Sequence, residues 1–468
     1  MRPASAYLTL LLLLVPLTAA AQRDWGSVSG GLESNSVYET DGHFRSNNYL
    51  KLDYVLGHFS AGVQAEYYPD PLPGYSAALK GFGLPEKYIS FAMPSWSVTA
   101  GDFYEQFGTG ILLRSWEDRT LGWNNSIGGG RASFQTRDGV FALKALGGYA
   151  REGLRYSSNA LAGADAALHL GAFTLEGAAV TRWLPDARPD PAGSALVAYD
   201  SGAFSARGEW VAKKGGNAQT LELAYAQRGF SSAVTLRRLE KMEDPMEMNY
   251  LPALSMEQSY MLATLNPYTT FGAGECGGNA SLFYNYKRWK FHLNGSMIYA
   301  LPVALAHYDH PRMAYRDINL EVEKRWGRRL KTVAFVSIQE NSPSHGDRKA
   351  TNAQNVFVLD GRYKFPKKLS LRAQLQYLYS EELTRDWMAG SLELASTSGW
   401  SIHVQDMYNH GDTKAHYYEV ALSWTRAAFK ADLSYGHQRA GFVCSGGVCR
   451  WQPEYRGAML RLTYQFSR

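Results

Sequence analysis

Cysteine is scarce, charge is thin and long apolar runs are almost absent. The chain of 468 residues holds 3 cysteines, too few for a disulfide framework. Charged residues make up 19% and the net charge is only +5, which is not the signature of a nucleic-acid partner. After Leu17 no apolar stretch approaches the ~20 residues that a membrane-spanning helix needs. Long runs of Ala, Leu, Glu and Lys, which favour helices, are also scarce. There is no linker, low-complexity tract or break in composition to divide the chain into the two or three domains its length would suggest for a soluble protein. No blade-length repeat marks a propeller. A phosphate loop and a helical zinc-protease motif are missing as well.

What is present begins with an export signal. Arg2 supplies a basic start, Leu8 to Leu17 a short apolar run, and Ala19, Ala20 and Ala21 a small-residue cleavage site before Gln22. Residues 1–21 are thus expected to be removed, leaving a single domain over 22–468. Aromatics are plentiful, with Tyr 30 and Trp 12, and so is Gly at 45. Their placement is more telling than their number. Phe59, Trp96, Phe173, Phe204, Phe230, Trp289, Trp400 and Phe429 each directly follow a short turn and open a strand. A soluble sheet has no reason to repeat that. A bilayer does, because aromatic rings favour the boundary between headgroups and hydrocarbon.

The strands alternate as a wall between lipid and water must. Leu50, Leu52 and Tyr54 oppose Lys51 and Asp53; Ala65 and Tyr67 oppose Glu66; Trp289, Phe291 and Leu293 oppose Lys290 and His292; Leu320 and Val322 oppose Glu321 and Glu323. Eleven tight hairpins, near 49–67, 87–103, 130–149, 162–182, 194–212, 219–238, 278–299, 316–338, 354–378, 386–407 and 415–436, with a first strand near 25–34 and a last near 456–466, predict about 24 strands (range 20–26). The fold class is all-β: a transmembrane antiparallel up-and-down β-barrel. Parity places both termini and the tight turns in the periplasm of a Gram-negative bacterium, and long outer loops near 104–129, 239–277 and 437–455. The alternative is a soluble sandwich or propeller, in which the apolar face would meet a second sheet.

Seven stretches resemble an uncharacterised family of outer-membrane β-barrels of Bacteroidetes-type bacteria, a domain of unknown function. They are Gly101–Gly110 (GDFYEQFGTG), Leu113–Arg119 (LRSWEDR), Leu251–Leu254 (LPAL), Asn266–Thr270 (NPYTT), Asp317–Val322 (DINLEV), Asp406–Asn409 (DMYN) and Gly446–Arg450 (GGVCR). The resemblance implies the fold and an outer-membrane location and carries no activity. Many such barrels finish on an aromatic residue; here Ser467 and Arg468 follow Phe466.

The charged inward face, Lys51, Asp53, Glu66, Lys290, His292, Glu321 and Glu323, points to a passive porin-like channel for small hydrophilic solutes. So wide a barrel would leak unless loops narrow it. The Gly-rich stretch 101–131 carries Arg114, Glu117, Asp118 and Arg119 within six positions, and these are the candidates for a pore constriction. The competing reading of that stretch is a salt-bridged loop that only packs; a helical turn would put Arg114 and Asp118 on one face. The stretch 241–278, rich in Pro and Tyr, reads as a plug, a docking surface for a partner or glycan, or a packed cap. The alternative function is a non-conducting scaffold of a secretion, assembly or surface-binding complex. No catalysis is expected: His403 and Asp406 fall on opposite faces of a strand, and His307, Asp309 and His310 sit in a polar loop. Cys444 and Cys449 flank a Gly-rich loop that a disulfide can close, with no histidine inside it to favour a metal. Cys276 is left over. No cofactor or metal is expected. The expected partners are outer-membrane lipid, the barrel-assembly machinery during insertion, and an envelope protein.

Overall fold

The computed structural model describes residues 26–467, apart from 186, 244–247, 250, 349–350, 367, 383–384 and 446–447. The expected signal segment lies outside the described residues. Twenty-four antiparallel strands form one closed sheet. The first strand, Ser27–Glu39, pairs both with its neighbour Phe44–Leu56 and with the last, Tyr455–Ser467, so no edge is left over. All eleven tight hairpins are present. Their turns gather at one end of the barrel, hereafter the turn end, and the longer connections at the other, the loop end. Three connections dominate the loop end, over residues 104–126, 241–273 and 439–454. They are a few residues shorter than expected because the flanking strands run on. Among the described residues, the only helices are two 3-10 turns, Ala77–Leu79 and Pro302–Ala304.

The outer surface is apolar. Leu52, Leu221, Leu293, Ile318, Leu359, Leu375 and Leu392 are all exposed, as expected for side chains that meet lipid instead of a core. The eight turn-end aromatics do open their strands. Intervening rings link them around the wall: Phe173 and Phe204 both contact Tyr199, and Trp424 contacts both Trp400 and Phe429. A second aromatic band, richer in Tyr, runs along the loop end through Tyr38, Tyr67, Tyr149, Trp183, Trp210 and Tyr379. Two bands bounding an apolar belt are the two interfaces of a bilayer written onto one sheet.

The inner face is polar towards the turn end. Towards the loop end it becomes apolar, because there the connections fold inward and pack on it. Val180, Val211 and Leu239 are buried against the segment 104–126. Phe335, Val356, Val358 and Leu378 are buried against the segment 241–273. The barrel therefore has its cores inside its mouth.

Candidate functional site

The segment 104–126 is two short ribbons. Gln106–Phe107 pairs with Leu113–Arg114, and Glu117–Asp118 pairs with Trp123–Asn124. The helical turn considered for Arg114 and Asp118 is not there. Gly108, Gly110 and Gly122 take positive φ values of 54°, 90° and 67°, which favour turns over helix. At Gly108 a Cβ would also collide with the Glu209 carboxylate.

The segment is anchored at two distant points of the wall. At its tip, the backbone N–H of Gly108 donates to Glu176, 3.0 Å, and that of Thr109 to Glu209, 2.9 Å, while the Thr109 hydroxyl also donates to Glu209. Arg182 Nη2 holds the Leu112 carbonyl at 2.7 Å. Further along, Arg119 reaches Glu33 at 3.1 Å and the side-chain oxygen of Gln64 at 3.0 Å, and Glu117 accepts from Gln64 at 2.6 Å. Glu33 lies on the first strand and Glu209 on the eleventh of the 24, so the segment runs between wall positions ten strands apart.

The four charged residues singled out from the sequence thus have different surroundings. Glu117 and Arg119 pair with each other at 3.4 Å and with the wall. The Arg114 guanidinium lies over the Trp116 ring, 4.8 Å from its centroid. Asp118 caps its own turn, accepting from the N–H of Thr120 at 2.8 Å. Arg114 and Asp118 do not meet across an opening.

The segment 241–273 is held by a buried pair that the sequence reading did not name. Arg237 and Glu275, on adjacent strands, meet at 2.8 Å and are almost fully buried. Arg237 also donates to the Pro252 carbonyl at 2.7 Å. Glu275 accepts from the Tyr268 hydroxyl at 2.7 Å and the Phe271 N–H at 2.9 Å. Burial, and then the Glu275 carboxylate, push the Tyr268 phenol well above its ordinary range, so it stays a donor. Farther out, Gln258 donates to Asn319, Asn266 to Gln354, and the Leu262 N–H to Gln376. The two inserted segments join where the Arg114 N–H donates to the Met248 carbonyl at 2.6 Å.

The third connection, 439–454, is a hairpin of Gly441–Ser445 with Val448–Gln452. A disulfide links Cys444 to Cys449 across it. Arg450 on this hairpin donates to the carbonyls of Thr120 and Pro73 and lies over the Tyr75 ring, which ties the hairpin to the first segment.

Below the inserted segments the wall is lined by mixed charge. Lys51 pairs with Glu86 at 2.9 Å, and Asp53 accepts from Tyr88 at 3.1 Å. Glu66, also on the inner face, is buried beside the first segment, where it accepts from Tyr68 and from Gln64, which also donates to Glu117. Glu323 meets Lys290 at 3.6 Å and Lys331 at 3.1 Å. His292 stacks on Phe283, 3.9 Å between centroids, and is paired across the sheet with Glu321. His307 and His310 are exposed: His310 meets Asp309 at 3.1 Å and His307 meets Asp347 at 3.6 Å, while Asp406 takes His416, not His403. Cys276 is a free thiol opposite Tyr299 and Arg238. Among the described residues, no group of three His, Cys, Asp or Glu side chains is placed to hold a metal ion.

The model of a "Family of unknown function (DUF6029)" matches residues 3–182 and 191–466. No curated protein matches the sequence. Among solved structures, the P pilus usher (PapC) translocation pore is 12% identical, with 94% of this chain and 99% of that one covered and a TM-score of 0.51. The siderophore receptor PirA from Pseudomonas aeruginosa is 10% identical over 95% and 81% of the two chains, with a TM-score of 0.44. OccK5 (OpdH) from Pseudomonas aeruginosa is 9% identical over 96% and 100%, with a TM-score of 0.41. These identities make the likeness one of fold.

Proposed function

The chain belongs to that family of unknown function, and from its geometry we propose an outer-membrane channel that passes small hydrophilic solutes through a lumen narrowed by the segments 104–126 and 241–273. The observation that carries this reading is the two-point anchoring of the first segment. A loop held to Glu176 and Glu209 at one end and to Glu33 and Gln64 at the other is a strap across the lumen, not a flap above it. Straps of this kind set pore size and charge preference. In this reading Glu117, Arg119 and Arg114 border the narrowest part, with Glu66 buried behind them, and the wall charges Lys51, Asp53, Lys290, His292, Glu321 and Glu323 line the approach from the turn end. The chain is exported by its first 21 residues and inserted by the barrel-assembly machinery. Its turn end and termini face the periplasm of a Gram-negative cell, and its two aromatic bands sit at the lipid interfaces.

A second reading has one observation of its own. Phe107, Ile111, Leu112 and Leu113 share a buried cluster with Met242, Met248 and Leu251, so the two segments pack on each other as a small folded plug. That favours a non-conducting scaffold with an envelope protein partner. Conductance across a planar bilayer separates the two. The channel reading expects steady conductance from the refolded protein, and a larger one when residues 108–122 are replaced by a short Gly-Ser linker. An intact protein that is silent, and conducts only after that replacement, would establish the plug.

A further inference from the structure

Two adjoining cavities open at the loop end. One has a volume of about 670 Å3, within the range of sites that take small ligands. The other has about 220 Å3. They share Asn266, Pro267, Tyr268 and Phe442. Phe442 is the boundary post: it lines both cavities, half of its surface is exposed, and its ring stands nearly perpendicular to that of Trp451, 5.1 Å between centroids.

The lining has a definite chemistry. In the larger cavity the side-chain amides of Asn249, Asn266, Asn341 and Asn352 stand with the hydroxyls of Thr269 and Thr270; the amide N–H groups of Asn249, Asn266 and Asn341 and the Thr270 hydroxyl also donate to protein oxygens, so these groups turn mainly acceptors to a ligand. Amides and hydroxyls supply both donors and acceptors without charge. Glu243 is the single carboxylate among the described lining residues of this cavity, and no Lys or Arg is among them. His345 stacks on Phe271, 4.4 Å between centroids, and burial lowers its pKa, so the imidazole adds no charge near neutral pH. Rigidity is built in. Asn341 Nδ2 donates to the Asn266 and Pro267 carbonyls, Glu275 holds Tyr268 and Phe271, and the disulfide braces the hairpin that carries Phe442.

We propose that these cavities form a binding site for a neutral oligosaccharide, with one sugar ring against Phe442 and its neighbours hydrogen-bonded by the amides on either side. A sugar ring presents an apolar face of C–H groups and a rim of hydroxyls, and the two kinds of lining match those two surfaces. Two cavities meeting at one aromatic fit a linear chain better than a single small solute. Two carboxylates, Glu243 in the larger cavity and Glu257 in the smaller, with no Lys or Arg among the described lining residues, disfavour acidic sugars. The site does not depend on whether the barrel conducts.

Titration calorimetry on the full chain in detergent tests this, with maltohexaose, cellohexaose and chitotetraose against tetragalacturonate and tetra-alanine. The proposal expects one of the three neutral sugars to bind and to change the fluorescence of Trp451. Phe442→Ala should weaken it roughly tenfold, and Phe442→Trp should retain it. Because Phe442 is half exposed, its loss leaves the barrel folded, which heat-modifiable gel mobility checks. The proposal is overturned if none of the neutral sugars binds, if Phe442→Ala leaves binding unchanged, or if the acidic sugar or the peptide binds more tightly. Conductance is read separately, so a failure here leaves the channel reading standing, and the reverse.

Discussion

Arg114 and Met248 meet backbone to backbone, 2.6 Å from N–H to carbonyl oxygen, although they belong to different connections. With the apolar cluster that Phe107, Leu112 and Leu113 share with Met242, Met248 and Leu251, that bond makes the two inserted segments one object. What loosens one should be felt in the other.

Glu275→Ala removes the acceptor that holds Arg237, Tyr268 and the Phe271 N–H together. Leaving Arg237 buried without its partner costs about 3–5 kcal/mol. The loss falls on the segment 241–273, not on the barrel ladder. Limited proteolysis should cut within that segment at least tenfold faster, while the melting of the barrel, followed by its strand circular dichroism, moves little. Equal loss in both would mean that the pair holds the wall.

Replacing Cys444 and Cys449 by Ser frees the 439–454 hairpin. Closing so short a loop contributes about 2 kcal/mol of local order. Hydrogen exchange should quicken in 441–452 and, through Arg450, at Tyr75 and Thr120. Unchanged exchange at Tyr75 would show that the hairpin and the first segment are independent.

Acid should loosen the wall of the larger cavity. Burial lowers the His345 pKa from its ordinary 6.5. The opened loop therefore binds a proton more readily than the closed one, so stability is retained above about pH 6.5 and falls as pH drops from there towards the lower folded-state value. Hydrogen exchange at 268–272 and 342–346, corrected for its intrinsic pH dependence, should rise between about pH 7 and pH 5. His345→Phe should abolish that rise. A rise that persists in the variant would point to another group.

Trp400→Ala tests the turn-end band. Trp400 stacks on Trp424 at 5.7 Å and is half exposed on the outer face. Its loss should lower the unfolding free energy in lipid vesicles by about 1–3 kcal/mol, measured by urea titration. Ser401→Ala, on the inner face of the same strand, should change it little.

The wall was legible in the sequence because it obeys local rules. A period of two, a short turn and an aromatic at the strand start are each visible within a dozen residues, and they yield every tight hairpin and the 24 strands. The mouth was not. Thr109 meets Glu209 and the Leu262 N–H meets Gln376, a hundred or more positions away, and nothing local announces such partners. Arg237 and Glu275 look like ordinary inward charges; only the packing of 241–273 buries them. One signal was there to be read. Alternation lapses into continuous apolar runs at strand loop ends, as at Ala178, Ala179 and Val180 or Val356, Phe357 and Val358, and an inner face that turns apolar must be covered by something. A helical turn bringing Arg114 and Asp118 to one face was one reading of the Gly-rich stretch; its left-handed glycines make ribbons instead.

The closure of Ser27–Glu39 on Tyr455–Ser467 bears on how the protein is made. Ser29 finds Ser467 only after all the other hairpins have been synthesised, so the final seam is the least local pairing in the molecule. Until then two strand edges carry unmatched N–H and C=O groups, which hydrocarbon does not tolerate. A chain cut short before Tyr455 therefore leaves both edges open and closes no barrel.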